Sequence, residues 1–343
     1  MKALALREYS HLVYEDVPEP EIDLDEVLVQ VRACGICGSD VHGMDGSSGR
    51  RVPPIIMGHE ASGVICQVGS GVSDWQVGDR VTFDAAVHCG KCYFCRRGLT
   101  NLCDHRRVLG VSTPEFRMHG AFAEYAAVPQ QVLYRLPDGL SFEHAAMMEA
   151  VSIAAHAVER TPVSVHDSAV VVGAGMIGLL VVQFLRLAGC GKIIAVDLAE
   201  DRLELARKLG ADVGLQSDAV DVPAEVRRLT GGRGADIAVE AVGITPTVRM
   251  AVESLRKGGA ATLVGNLAPT VEFPLQTVVL GQLSINGSTN AAGESPACLE
   301  MLAAGVIRVE PLISAVAPLS EGVVWFERLY RREAGLMKVI LEP

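Results

Sequence analysis

Gly173-Ala-Gly175-Met-Ile-Gly178 follows a run of alanine and valine and leads into an apolar stretch of helical length. No other segment of the chain narrows the possible folds as much. A strand must end, turn tightly and restart as a helix within six residues. Three glycines at this spacing serve the turn, the near approach of a pyrophosphate and close packing of helix on strand, and the helix N-terminus then faces the anion. Asp197 ends the next strand-like run, 19 residues beyond Gly178, where a carboxylate would accept the hydroxyls of an adenosine ribose. Strand patterns at 169–172, 192–196, 235–239, 260–264 and 283–287 alternate with helical patterns at 176–188, 200–209 and 248–255. This is the βαβ succession of an α/β fold with a doubly wound parallel sheet. Gly173, Gly175, Met176, Ile177, Gly178, Asp197, Arg202, Val242 and Gly265 form the expected cofactor-binding set. Asp197 would repel the additional phosphate of NADP, and Leu198 supplies no cation to receive it, so NAD is the expected dinucleotide.

Residues 1–153 have a different rhythm. Strand-like runs at 27–33, 61–69 and 80–83 are separated by glycine turns, as in a small β-barrel. A further strand at 338–341 would rejoin this barrel. The expected organisation is a first domain of residues 1–153 with 289–343, and a second of residues 154–288; 343 residues suffice for two cores.

A net charge of −11, with basic residues only in scattered pairs such as Arg96-Arg97, Arg106-Arg107 and Arg331-Arg332, speaks against a nucleic-acid partner. No apolar run reaches the ~18 residues that span a bilayer, and the N-terminal apolar stretch is too short for a secretory leader. A cytoplasmic protein without a membrane partner is therefore expected, in a compartment that keeps thiols reduced.

Four of the chain's 9 cysteines, Cys89, Cys92, Cys95 and Cys103, fall within 15 residues. Four thiolates on short loops can close a tetrahedron around Zn²⁺ with no position left for water, which describes a structural site in a lobe at about 88–104. Upstream, Cys37 in Gly35-Ile-Cys37-Gly-Ser39-Asp40-Val-His42 and His59 in Gly58-His59-Glu60 offer a thiolate and an imidazole. Completed by a carboxylate, such a pair makes an open catalytic zinc site. Cys34 and Cys66 read as core thiols.

The order of these motifs, continued by Gly63, Gly69, Val72 and Val77-Gly78-Asp79-Arg80-Val81 and ending in the dinucleotide turn, resembles the zinc-containing medium-chain dehydrogenase/reductase family, across nearly the whole chain. The resemblance implies a GroES-like barrel interrupted by a Rossmann domain, with the active site in the cleft between them. It implies a catalytic zinc on Cys37, His59 and either Glu60 or Glu149, a structural zinc on the four cysteines, and thus two zincs per chain. It implies a proton relay from Ser39 through the cofactor ribose to His42, and a homodimer or homotetramer formed near 275–285. Within the family, a glutamate at 149 in place of a cysteine, together with the C-terminal segments 312–322 and 335–339, is most similar to the polyol (sorbitol) dehydrogenase branch, although Ala150 stands where that branch usually has proline. The activity this implies is hydride transfer to NAD from a secondary hydroxyl of a polyol, sugar or sugar phosphate, with L-threonine or a vicinal diol as the alternative substrate. Ser288, Thr289, Asn290 and Glu294 join Ser39 and Glu149 as expected hydrogen-bonding partners of the hydroxyls. A non-catalytic NAD(P)H-binding protein of the same fold would be expected to lack Cys37, His59 or the acid.

Overall fold

The strand patterns at 27–33 and 61–69 become Glu26–Gly35 and Glu60–Val68, an antiparallel pair, in the computed structural model of the chain, which describes residues 1–113 and 117–343. Two register shifts interrupt their pairing, between Leu28 and Val29 and between Val31 and Ala33; bulges of this kind bend a sheet and raise its twist. Around the pair run Leu133–Arg135, Arg80–Phe83, Lys338–Glu342 and Ile313–Pro318, with Tyr125–Pro129 also pairing Glu26–Gly35. The C-terminal strand does rejoin the first segment: Ile340 pairs with Gly35 and Leu341 with Cys34. A three-stranded sheet of His11–Asp16, Lys2–Glu8 and Ile55–Ile56 lies beside it in sequence.

Residues from both sheets build one core. Leu4, Leu6, Val29, Ile65, Phe83 and Phe122 share a core with Phe326 of helix Gly322–Tyr330, and the Phe122 and Phe326 rings meet edge to face at 5.5 Å. Each such side chain contributes ~1.5–3 kcal/mol relative to exposure. One expectation is corrected here: Cys66 is the residue passed over where the register shifts, between Ile65 opposite Val29 and Gln67 opposite Leu28, and it is exposed, not a core thiol.

The second segment folds as six parallel strands in the order Val213–Gln216, Lys192–Asp197, Ser168–Val172, Ala235–Glu240, Leu255–Leu263 and Ser284–Gly287. The chain order along the sheet reverses beside Ser168–Val172, which is where a doubly wound sheet binds its ligand. Val213–Gln216 carries little strand signal, because Gly214 and Gln216 break the apolar run, and helix Val222–Leu229, which buries Val222 and Val226 one turn apart, follows it; neither was anticipated. The helix expected at 248–255 is Thr245–Glu253: Pro246 sets its start, and Leu255 already belongs to the next strand. Two compact units result, Met1–Glu149 with Ala291–Pro343, and Ala150–Asn290; the expected divisions were 153/154 and 288/289. Among the described residues no helix is long and apolar enough to cross a membrane.

Candidate active site

Cys37 caps the short helix Gly38–Met44, and His59 sits one residue before the strand that Glu60 opens. The turn into that strand requires glycine: Gly58 has φ +93°, and a Cβ there would come within 2.8 Å of the Phe122 backbone nitrogen. These elements bring Cys37, His59 and Glu60 together, with one ligand atom from each within 4.8 Å of the others. Cys37 is partly accessible, whereas His59 and Glu60 are buried.

Asp40 organises this group, although its position in the Gly-Ser-Asp motif suggested no role. Its carboxylate is fully buried. Oδ1 lies 2.9 Å from Arg51 Nη2 and 3.3 Å from His59 Nδ1, close enough for an ion pair with the imidazole though not aimed as a good hydrogen bond. Oδ2 accepts the Cys37 backbone N–H at 3.4 Å. Burial alone would raise the Asp40 pKa, but His59 and Arg51 outweigh it and hold the carboxyl well below the usual range. Burial alone would likewise favour neutral His59; the charges of Asp40 and Cys37 reverse that and raise its pKa. With Nδ1 turned to Asp40, Nε2 is left as the donor for a cation, the usual carboxylate–imidazole–metal arrangement. A sulfur, an imidazole and a carboxylate at this spacing fit a zinc ion.

Glu149, in the first turn of helix Met148–Glu159, stands outside that group of three. It keeps some solvent contact, yet the packing around its carboxyl, with Glu60 and Asp84 as neighbouring acids, pushes its pKa up. Lys338 is a second participant without a sequence-level role: its Nζ donates to Glu60 Oε2 and, at 3.1 Å, to the Ile36 carbonyl. Ser39 and His42 lie three residues apart on the helix that Cys37 caps, so they share a face. The Ser39 hydroxyl accepts from Arg51 Nη2 at 3.2 Å, and the His42 carbonyl accepts from Ser47 Oγ at 2.7 Å.

The four lobe cysteines also gather, with one sulfur from each within 4.8 Å of the rest. The short ladder of Ala86–Val87 with Arg107–Val108 closes the lobe at its base. Backbone N–H groups of Cys89 and His105 each point at Cys103 Sγ from 3.3 Å, and the Cys95 N–H leads the contacts that lower the Cys92 pKa. N–H donors aimed at sulfur favour thiolate, the form that binds metal.

In the second unit, Val172, Val196 and Glu240 stand in register at the carboxyl edge of the sheet, so Gly173 and Asp197 leave it side by side. Gly178 is pressed against this turn: a Cβ there would lie 1.8 Å from the Gly173 carbonyl oxygen. Gly175 has no atom within 4 Å of its missing Cβ, and Met176 and Ile177 are partly exposed beside it. That bare backbone at a helix N-terminus fits a pyrophosphate. Asp197 Oδ2 accepts the Ala174 N–H at 2.7 Å, and Arg202 reaches to 3.9 Å from the same oxygen with its side chain 42% exposed. Val242 and Gly265 are back to back, since a Cβ on Gly265 would meet the Val242 nitrogen at 2.3 Å. Buried Glu240, which was not anticipated, holds this loop by accepting the N–H groups of Val242 and Gly243 at 2.9 and 2.7 Å. Gly178→Ala is expected to lower kcat/KM for NAD by ~100-fold through displacement of the turn; NAD saturation kinetics on the folded variant measure this, and an unchanged value would remove the turn from cofactor binding.

Residues 23–138 match the family model described as alcohol dehydrogenase GroES-like domain, and residues 177–304 the one described as zinc-binding dehydrogenase. The chain is 35% identical to sorbitol dehydrogenase of Bacillus subtilis, in an alignment covering 100% of this chain and 97% of that protein. It is 36% identical to D-xylulose reductase A of Aspergillus oryzae, covering 90% and 87% respectively. Among solved structures, alcohol dehydrogenase TADH from Thermus sp. ATN1 superposes with a TM-score of 0.94 at 33% identity, over 100% of this chain and 99% of that one.

Proposed function

This chain belongs to the zinc-binding alcohol dehydrogenase family, and from that premise we propose that it is a polyol dehydrogenase, moving hydride from a secondary hydroxyl of a polyol or sugar to NAD and leaving a ketone. The observation that carries this reading is the convergence of Cys37, His59 and Glu60 on one point, with Glu149 close enough to feel the charges of His59 and Glu60. The likeness to sorbitol dehydrogenase and D-xylulose reductase supports the substrate class.

Cys37, His59 and Glu60 would hold the catalytic zinc, and Cys89, Cys92, Cys95 and Cys103 the structural one. A zinc ion in the first site supplies Lewis acidity, which eases ionisation of an alcohol hydroxyl. Asp40 holds the Nδ1 side of the His59 ring, so Nε2 would be the atom available to the ion. The turn from Gly173 to Gly178 would hold the pyrophosphate of NAD, and Asp197 the ribose. Ser39 would receive the proton that leaves the substrate hydroxyl as it gives its own to the cofactor ribose, and His42 would take a proton from the ribose and pass it to solvent. Glu149 would accept hydrogen bonds from neighbouring hydroxyls, as each unmatched one is costly to desolvate.

The reading extends to a cytoplasmic protein, supported by thiols that must stay reduced to hold metal. It also extends to a homodimer or homotetramer, supported by Leu275, Val279 and Leu280, which stand 65%, 66% and 80% exposed on the helix that precedes the edge strand Ser284–Gly287. The test is a screen of NAD reduction with polyols, sugars, sugar phosphates, L-threonine and vicinal diols, each with and without a chelator. Turnover of polyols that chelation abolishes supports the proposal; turnover confined to threonine or diols would overturn the substrate class. His42→Ala is expected to keep its zinc and to slow turnover most at acidic pH, where proton removal is hardest; a pH–rate profile that does not change would exclude His42 from the relay.

A further inference from the structure

Lys338 begins the strand Lys338–Glu342, but its side chain is only 3% exposed. A lysine buried to this degree is costly unless its charge is met. Here it is met on two sides, by the Ile36 carbonyl at 3.1 Å and by Glu60 Oε2, on a side chain that is itself 2% exposed. The backbone makes room for the contact. The Lys338 strand pairs with Glu26–Gly35 through Ile340 and Gly35, and a Cβ on Gly35 would come within 2.5 Å of Glu60 Oε2 and 3.4 Å of Lys338 Cδ. One oxygen of Glu60 therefore sits in a socket built from a bare glycine, a lysine and the carbonyl of the residue before Cys37.

We infer that Lys338 is a positioning residue that occupies Glu60 Oε2, so that Glu60 offers a metal only Oε1 and the cluster acts as a set of three donor atoms. This rests on the metal reading given above for Cys37, His59 and Glu60. A carboxylate with both oxygens free can grip a cation through two atoms, and a fourth protein donor would fill the position that catalytic sites leave for substrate. The chain's C-terminal strand thus contributes to the chemistry of a site whose donors all lie before residue 61.

The test uses holoenzyme in which cobalt(II) has replaced zinc, reading the visible spectrum as the difference from Cys37→Ser so that the four-cysteine lobe cancels. Lys338→Met is expected to retain cobalt, to shift the d–d bands and weaken them as a fourth protein donor joins, and to lose about 10–100-fold in kcat/KM. Lys338→Arg should restore the wild-type bands. Gly35→Ala, whose new methyl would drive Oε2 off the lysine, should change the bands in the same direction and keeps the idea testable should Lys338→Met not fold. Unaltered bands in a cobalt-loaded Lys338→Met or Gly35→Ala protein would overturn the inference. So would release of cobalt from Lys338→Met under conditions where wild type keeps it, because Lys338 would then be holding a ligand in place and not restraining one. Absence of a cobalt–thiolate band from Cys37 in the wild type would be a different failure, that of the metal reading.

Discussion

Cys37→Ala is expected to lower kcat/KM for a polyol by about 10³-fold or more, while zinc content falls from two ions per chain to one. The magnitude follows from the Lewis acid's share of the barrier, several kcal/mol, at 1.36 kcal/mol per tenfold in rate. The stoichiometry follows from the fold: the four sulfurs of the lobe form a group of their own, on loops distinct from those of Cys37 and His59. His59 is buried beside Asp40 and Glu60, so loss of the sulfur leaves two donors where at least three are needed to retain the ion. Metal analysis beside steady-state kinetics on the purified variant decides the matter. Two zincs and a rate near that of wild type would place hydroxyl activation elsewhere in the molecule.

Asp40→Ala should give the largest loss of stability. Arg51 is 3% exposed and its guanidinium rests on Asp40 Oδ1 through both Nε, at 3.3 Å, and Nη2, at 2.9 Å. Removing one partner of a buried pair strands the other charge, which costs about 3–5 kcal/mol. For a unit of this size that is a Tm lower by roughly 6–20 °C. Thermal unfolding followed by circular dichroism measures it. Asp40→Ala combined with Arg51→Met should recover most of the loss, because the orphaned charge is gone. A single variant that melts with wild type would mean that Arg51 finds another partner and that Asp40 is not the hub of the site. The same substitution frees the His59 ring, so weaker zinc retention should accompany the lower Tm.

Much of the site was legible because its chemistry is local in sequence. A dinucleotide turn needs three glycines at fixed spacing, and a four-thiolate zinc lobe needs its cysteines within a few loops, so both motifs are written contiguously. The parallel sheet was legible for the same reason, since each strand is buried on both faces and reads as an apolar run, as in Ser168–Val172 and Lys192–Asp197. Val213–Gln216 escaped because an edge strand of four residues with a glycine carries almost no such signal. Cys66 was misread because it is the extra residue of a bulge, and the position of a bulge is set by how Glu60–Val68 pairs with Glu26–Gly35 and not by Cys66 itself.

The sequence by itself determined which atoms are available: a sulfur at 37, an imidazole at 59, carboxylates at 60 and 149, four lobe thiols, and bare glycine backbone from 173 to 178. Only the tertiary structure decided how they are held. It set Asp40 against both Arg51 and His59, grouped Glu60 and not Glu149 with the sulfur and the imidazole, and brought Lys338 across 278 residues of chain to one oxygen of Glu60. The physical reason is that donor identity is a property of single residues, whereas the desolvation and pairing of charge depend on which strands lie side by side, and that is settled by packing around the whole core.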